Sequence, residues 1–182
     1  MRLFVKIDMN AACKKILQEQ FDKYNLSYEI LGMSEIDLKH TVSNETIQQL
    51  NADLNGYGIE IVESYKAIQV QKIKDAIIEM VYFEEDLPSL KTSDYLVKKL
   101  NLGYTYLFNL FSETTFSSIE NYIILQKIER SKELITTNEL TFTEIANRLN
   151  YSSVAHFSKQ FKNTTGLTPS AFQRIITKRR KN

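Results

Sequence analysis

The sequence predicts two units of different class: an α+β unit with the element order βαββαβ over residues 1–64, then an all-α unit with two helix-turn-helix motifs over residues 87–182, with a connecting helix over 65–86. Three observations predict this. Apolar and polar residues alternate with period two in short stretches of the first third of the chain, while helical spacing of apolar residues runs through the remainder. The stretch from residue 142 to 174 encodes two short helices joined by a tight turn and followed by a third helix. Charge is segregated: residues 1–70 and 71–122 each carry a net −3, whereas residues 123–182 carry +7, from 11 Lys+Arg against 4 Asp+Glu. A basic end of this kind is the electrostatic footprint of nucleic-acid binding.

In the first unit, residues 3–7 (LFVKI) alternate as a half-buried strand does, and a helix-like run follows over 11–24. Residues 26–31 (LSYEIL), a turn at Gly32 and residues 34–39 (SEIDLK) predict a hairpin. Residues 43–54 predict a second helix, with Ser43 and Thr46 at its start and Ile47, Leu50 and Leu54 on one face. Residues 55–58 (NGYG) end it, and 59–62 form a last strand. The order βαββαβ is the ferredoxin-like arrangement of two helices on one antiparallel sheet. In size and order this unit resembles a heavy-metal-associated domain, a family that grips soft metals with two Cys of an M-x-C-x-x-C loop between the first strand and first helix. Here the loop reads Asp8-Met9-Asn10-Ala11-Ala12-Cys13, so Cys13 stands at the second thiol position and Asn10 at the first. Soft ions favour paired thiolates, so no metal and no cofactor is expected, with Cys13 the one candidate ligand. A metal-free unit used for packing or partner contact is the main expectation; a metal shared between Cys13 of two copies, or completed by Met9, is the alternative.

Residues 64–83 contain no Gly or Pro, and Val70, Ile73, Ile77 and Met80 recur at spacings of 3, 4 and 3, the stripe of a helix that packs on one partner. Packing on its own core is expected, with a short dimer-forming helix as the alternative. Residues 84–88 (EEDLP) end it at Pro88. Thr92 or Ser93 then caps a helix through Leu100, a turn follows at Leu102-Gly103, and residues 104–111 (YTYLFNLF) form the next helix. Residues 118–135 predict a long bridging helix. Beyond it, Thr143 is expected to cap a helix whose inward face is Ile145, Ala146 and Leu149. The turn spans 149–152, with Asn150 at a left-handed position. Ser153 caps the second helix, which buries Phe157 and Phe161 and turns Val154, Ala155, Ser158, Lys159 and Lys162 outward. Small side chains let a backbone come close to DNA, and Lys reaches guanine acceptors or phosphate. Thr168-Pro169 starts a third helix, from which Phe172 turns back to the core.

The order I-A-x-x-x-x-Y-x-S-x-x-H-F-S-K-x-F-K-x-x-x-G-x-T-P-x-x-F-x-R closely resembles the signature of AraC/XylS-type bacterial transcription regulators. That resemblance implies a DNA-binding unit with two helix-turn-helix motifs, about 90–112 and 141–163, bridged by a long helix. It implies DNA contacts from Ser153, Val154, Ala155, Ser158, Lys159, Lys162 and Arg174, and from Tyr104, Thr105 and Asn109 of the first motif. Two departures stand out: Asn150 replaces the usual Gly, and the first recognition helix offers no cation, so the second is expected to dominate. His156 falls where the family packs a ring between helices. Double-stranded DNA is the expected partner, with RNA polymerase and a second copy of the chain as candidates.

Catalytic patterns do not emerge. Neither His40 nor His156 has a nucleophile or paired carboxylates at motif spacing, and the five glycines form no phosphate-cradling loop. The ten Tyr and ten Phe fall mostly at helix-core spacings, against a role in RNA stacking. No apolar run reaches membrane-spanning length, and the first 15 residues lack a signal-peptide core, so a cytoplasmic protein is expected. The reading is a non-enzymatic, sequence-specific transcription regulator. The alternative is an interaction or metal-handling protein in which the N-terminal module is the working part.

Overall fold

A computed structural model describes residues 2–32, 34–83 and 91–181. The chain divides into two compact units, the first ending at Ile68 and the second beginning at Gln69.

The first unit is built from α1 (Met9–Lys23), β1 (Tyr28–Ile30), β2 (Ile36–Leu38) and α2 (Asn44–Asn55). Asp8 caps α1 by accepting the Ala11 N–H at 3.0 Å, and Ser43 caps α2 by accepting that of Thr46 at 3.1 Å. β1 and β2 pair antiparallel with Tyr28 opposite Leu38 and Ile30 opposite Ile36, so these four side chains share one face. From that face Tyr28, Ile36 and Leu38 pack on Phe21, Leu50 and Leu54, whose exposures are 5%, 1% and 1%. The Asp53 carboxylate ties α2 to α1 by accepting from the Tyr24 hydroxyl at 2.7 Å and from Lys23 Nζ. Both donors hold the Asp53 carboxyl below its usual range.

This is not the ferredoxin-like βαββαβ domain that the sequence predicts: the described residues are 68% helical and form only two short strands. Residues 3–7 join no strand, and Leu3, Phe4, Val5 and Ile7 are 77%, 94%, 80% and 64% exposed. Their alternation is a real pattern, but alternation makes a strand only where a neighbouring edge supplies the ladder. Residues 59–62 are not a strand either. Ile59 and Ile61 cover the core with their side chains, and the Ile61 N–H donates to Asn51 Oδ1 at 3.0 Å rather than to a strand. The likeness to a heavy-metal-associated domain falls with the sheet. Because Asp8 caps α1, Met9 to Cys13 are the first helical turns and no loop exists to carry a ligand pair. Among the described residues no three His, Cys, Asp or Glu side chains form a metal-binding group.

The second unit is all helical: most of α3 (Tyr65–Tyr82), then α4 (Thr92–Leu100), α5 (Tyr104–Thr115), α6 (Ile119–Thr137), α7 (Phe142–Arg148), α8 (Val154–Thr165) and α9 (Pro169–Lys181). The α3 stripe Val70, Ile73, Ile77 and Met80 lies in this unit's own core, 5% exposed or less, so it is not a free face for a second copy. Pro88 lies outside the described residues. The long helix α6 is the spine, packing on α5, α7, α8 and α9 and burying Ile119, Ile123, Ile128 and Ile135. Its one buried polar residue, Ser131, is satisfied internally by donating to the Ile128 carbonyl at 2.7 Å. α6 therefore holds α4–α5 and α7–α8 as two helix-turn-helix pairs on one rigid core.

Candidate nucleic-acid interface

The second pair begins with a capping box. Thr141 Oγ1 accepts the Glu144 N–H at 3.2 Å, and the Glu144 carboxylate accepts from the Thr141 N–H at 2.7 Å. The Thr141 hydroxyl also donates to that carboxylate at 2.7 Å, and this bond, with the one from the Thr141 N–H, holds the Glu144 carboxyl below its ordinary value. The cap is thus Thr141 and not Thr143, since only Thr141 has a Glu three residues on. Ile145 and Ala146 are fully buried and Leu149 is 1% exposed. Asn150 turns the chain at φ 53, the left-handed conformation expected of it. Ser153 then caps α8 by accepting the His156 N–H at 3.1 Å.

Phe157 and Phe161, both fully buried, anchor α8, and Phe161 stacks edge-on against Phe172 of α9 at 5.6 Å. The ring between helices is Tyr151, not His156. Tyr151 is 9% exposed, lies under Lys127 of α6 at 5.2 Å, and its hydroxyl is buried without a hydrogen-bond partner. Burial pushes that hydroxyl up to about 12 and lowers the Lys127 ammonium. His156 is exposed, its Nδ1 3.0 Å from Ser152 Oγ and its ring edge-on to Tyr151.

Ala155, Lys159 and Lys162 are exposed on the outer face of α8, with Ser158 half-buried beside them. Val154 is half-buried and packs on the core. α9 is capped by Thr168, which accepts the Ala171 N–H at 3.2 Å, and it exposes Arg174, Lys178 and Arg179. Gln173 donates to Asn138 Oδ1 at 2.7 Å and so ties α9 to the end of α6.

The first pair repeats this scaffold with different side chains. Asn101 ends α4 at φ 53, as Asn150 ends the turn of the second pair. The α4 cap position falls to Lys91 with no side-chain bond, instead of the expected Thr92 or Ser93. Ser93 Oγ donates to the Asp94 carboxylate at 3.3 Å. From there residues 103–118 match 153–168 position by position. Leu107 and Phe111 are buried where Phe157 and Phe161 are. Thr115 Oγ1 donates to the Phe111 carbonyl at 2.7 Å, and Thr165 Oγ1 to that of Phe161 at 2.8 Å. Phe116 and Gly166 both take left-handed backbone, at φ 54 and 78. Ser118 then caps α6 as Thr168 caps α9.

The sequence contains this repeat as F-x-x-x-T followed three residues later by a hydroxyl cap, a signal that composition and charge do not expose. On α5, Thr105, Tyr106, Phe108 and Asn109 are exposed. Tyr104 is half-buried, packs on the core and donates its hydroxyl to the Glu120 carboxylate; burial, and then that bond, push the hydroxyl up to about 12.

Residues 96–175 match the family model of a helix-turn-helix domain. The chain is similar to the Msm operon regulatory protein of Streptococcus mutans, 40% identical over 88 residues, covering 48% of this chain and 31% of that protein. It is similar also to the raffinose operon transcriptional regulatory protein RafR of Pediococcus pentosaceus, 28% identical over 109 residues, covering 60% of this chain and 39% of that one. The chain thus spans between three and four tenths of the length of these relatives. Among solved structures it resembles the C-terminal domain of AraT, a response regulator from Geobacillus stearothermophilus, with TM-score 0.52 at 26% identity, covering 62% of this chain and 88% of that domain. The DNA-binding domain of AdpA, solved in complex with a target DNA, shares the fold with TM-score 0.51 at 18% identity, covering 63% of this chain and 97% of that domain. Two helix-turn-helix pairs on one spine, with these likenesses, make residues 96–175 a helix-turn-helix domain similar to those of bacterial transcription regulators.

Proposed function

We propose that the whole chain is a sequence-specific transcription regulator that reads the major groove of double-stranded DNA chiefly through α8. The observation that supports this most is the outer face of α8: exposed Ala155, Lys159 and Lys162 on a helix whose inner face is locked by two fully buried phenylalanines. A locked helix with a small, cationic outer face admits the backbone to the groove and places cations among base acceptors. In this reading Ser158 and Lys159 meet base edges. Lys162, Arg174, Lys178 and Arg179 meet phosphates, which position the domain without carrying sequence information. Ser153 and Ala155 lie at the helix start, where recognition helices approach bases.

RNA polymerase and a second copy of the chain are the further partners this function calls for, and the cytoplasm is where such a regulator acts. No helix among the described residues is long and apolar enough to cross a membrane. The N-terminal unit, with its small core of its own, is the natural seat for a signal or partner.

Selection of bound duplexes from a random pool tests the reading with the full chain. An enriched sequence is expected, and Lys159→Ala should lower discrimination at one block of it by about 1 to 3 kcal/mol. A pool that remains random after repeated rounds overturns the proposal.

A further inference from the structure

The position-by-position match between 103–118 and 153–168 puts Asn109 of α5 where α8 has Lys159, and Phe108 where α8 has Ser158. Two helices held in the same register on the same scaffold present the same places to a groove, so differences in what they read follow from these side chains. We propose that α5 is the specificity element for an A·T block of a two-block site, with Asn109 bonding adenine and Phe108 and Thr105 packing on thymine methyl groups. This inference rests on the DNA-reading function proposed above.

Four observations support that chemistry. An Asn amide offers one donor and one acceptor side by side, which match adenine N7 and N6 in the major groove, while guanine presents two acceptors. Phe108, 36% exposed, and the Thr105 methyl, one residue and one helical turn before Asn109, give apolar surface beside it, and thymine alone among the bases carries a major-groove methyl. Residues 104–118 contain no Lys or Arg and include Glu113, so the helix has neither a guanine fork nor a phosphate clamp. Ser112 stands where α8 has Lys162, but its hydroxyl is already spent, donating to the Phe108 carbonyl at 2.7 Å and lying 3.1 Å from that of Asn109. The polar group left to read a base edge in the middle of α5 is therefore Asn109.

The test is base-by-base affinity of the full chain, three Asn109 variants and Lys159→Ala for duplexes mutated singly across the selected site, with thermal melting of each variant as the folding check. Asn109→Ala should flatten preference within an A·T block by about 5- to 150-fold, leaving the block that depends on Lys159 unchanged. Asn109→Gln, which keeps the amide, should retain adenine, and Asn109→Lys should move the preference at that base pair toward guanine. If all three variants fold and keep every base preference of the parent while Lys159→Ala still flattens its own block, the inference is overturned and the DNA-reading function stands. If the parent chain itself shows no base preference, the proposed function fails and this inference with it.

Discussion

The two helix-turn-helix pairs share a scaffold and differ in almost everything they show to solvent. Inside, buried Leu107 and Phe111 repeat Phe157 and Phe161, and the Thr115 and Thr165 hydroxyls close their helices with the same bond. Outside, Tyr106, Phe108, Asn109 and Ser112 of the first pair stand where the second has His156, Ser158, Lys159 and Lys162. The inner face is set by packing against α6, which both pairs must satisfy, and close packing tolerates few side chains. The outer face meets only solvent or ligand and is free to diverge. A first motif that looks degenerate by its surface is therefore intact by its core.

The largest expected effect tests that claim. Phe111→Ala and Phe161→Ala remove rings 1% exposed and fully buried, so each should destabilise the unit by about 3 to 5 kcal/mol in a denaturant titration. A loss below about 1 kcal/mol for Phe111→Ala alone would mean the first pair is a loose remnant.

The helix ends sharpen the comparison with a change of opposite sign. Phe116 is a bulky residue at φ 54 and 94% exposed, whereas Gly166 takes the equivalent φ of 78 without a side chain. Left-handed backbone costs an ordinary residue about 1 to 2 kcal/mol, partly offset by the greater freedom of Gly in the unfolded chain. Phe116→Gly should thus raise stability by about 0.5 to 1 kcal/mol, and Gly166→Ala should lower it by a similar amount. Equal signs for the two changes would break the equivalence of these ends.

The smallest effect lies at the turns, where Tyr151 follows Asn150 and Leu102 follows Asn101, both packed on the core. The Tyr151 hydroxyl is buried without a partner, while its ring carries the contact with Lys127. Tyr151→Phe keeps the ring and removes the unsatisfied group, so its melting temperature should equal or exceed that of the parent, by up to about 1 kcal/mol in stability. A clear loss would show that the hydroxyl is bonded in solution.

Legibility in the sequence follows the same division between packed and unpacked positions. The second pair was readable because its turn, caps and buried rings stand at fixed spacing: Asn150, Ser153, Phe157, Phe161 and Thr168-Pro169 each take the place the sequence predicts. The stripe on α3 was readable for the same reason, as Val70, Ile73, Ile77 and Met80 all reach the core. Small errors came at helix starts, where several hydroxyls compete; Thr143 lacks the Glu partner that gives Thr141 its capping box. His156 misled because an aromatic neighbour, Tyr151, fills the slot between helices. The ferredoxin-like reading failed for a deeper reason. A strand is a property of two segments, and alternation in residues 3–7 or 59–62 says nothing about an edge to pair with. The likeness of the two recognition helices stayed hidden because their outer faces, which composition sees, are the part that differs.

The central claim is that the basic end of this chain binds DNA through phosphate contacts placed around α8 and α9. Lys162, Arg174, Lys178 and Arg179, the residues assigned to phosphates, are all exposed there. About four phosphate contacts release enough counterions to give a slope near −3.6 in a plot of log K against log salt. Titration of the full chain with its selected duplex across a range of salt measures that slope directly. A value of about −3 to −4 is the result predicted; a slope near zero contradicts the account.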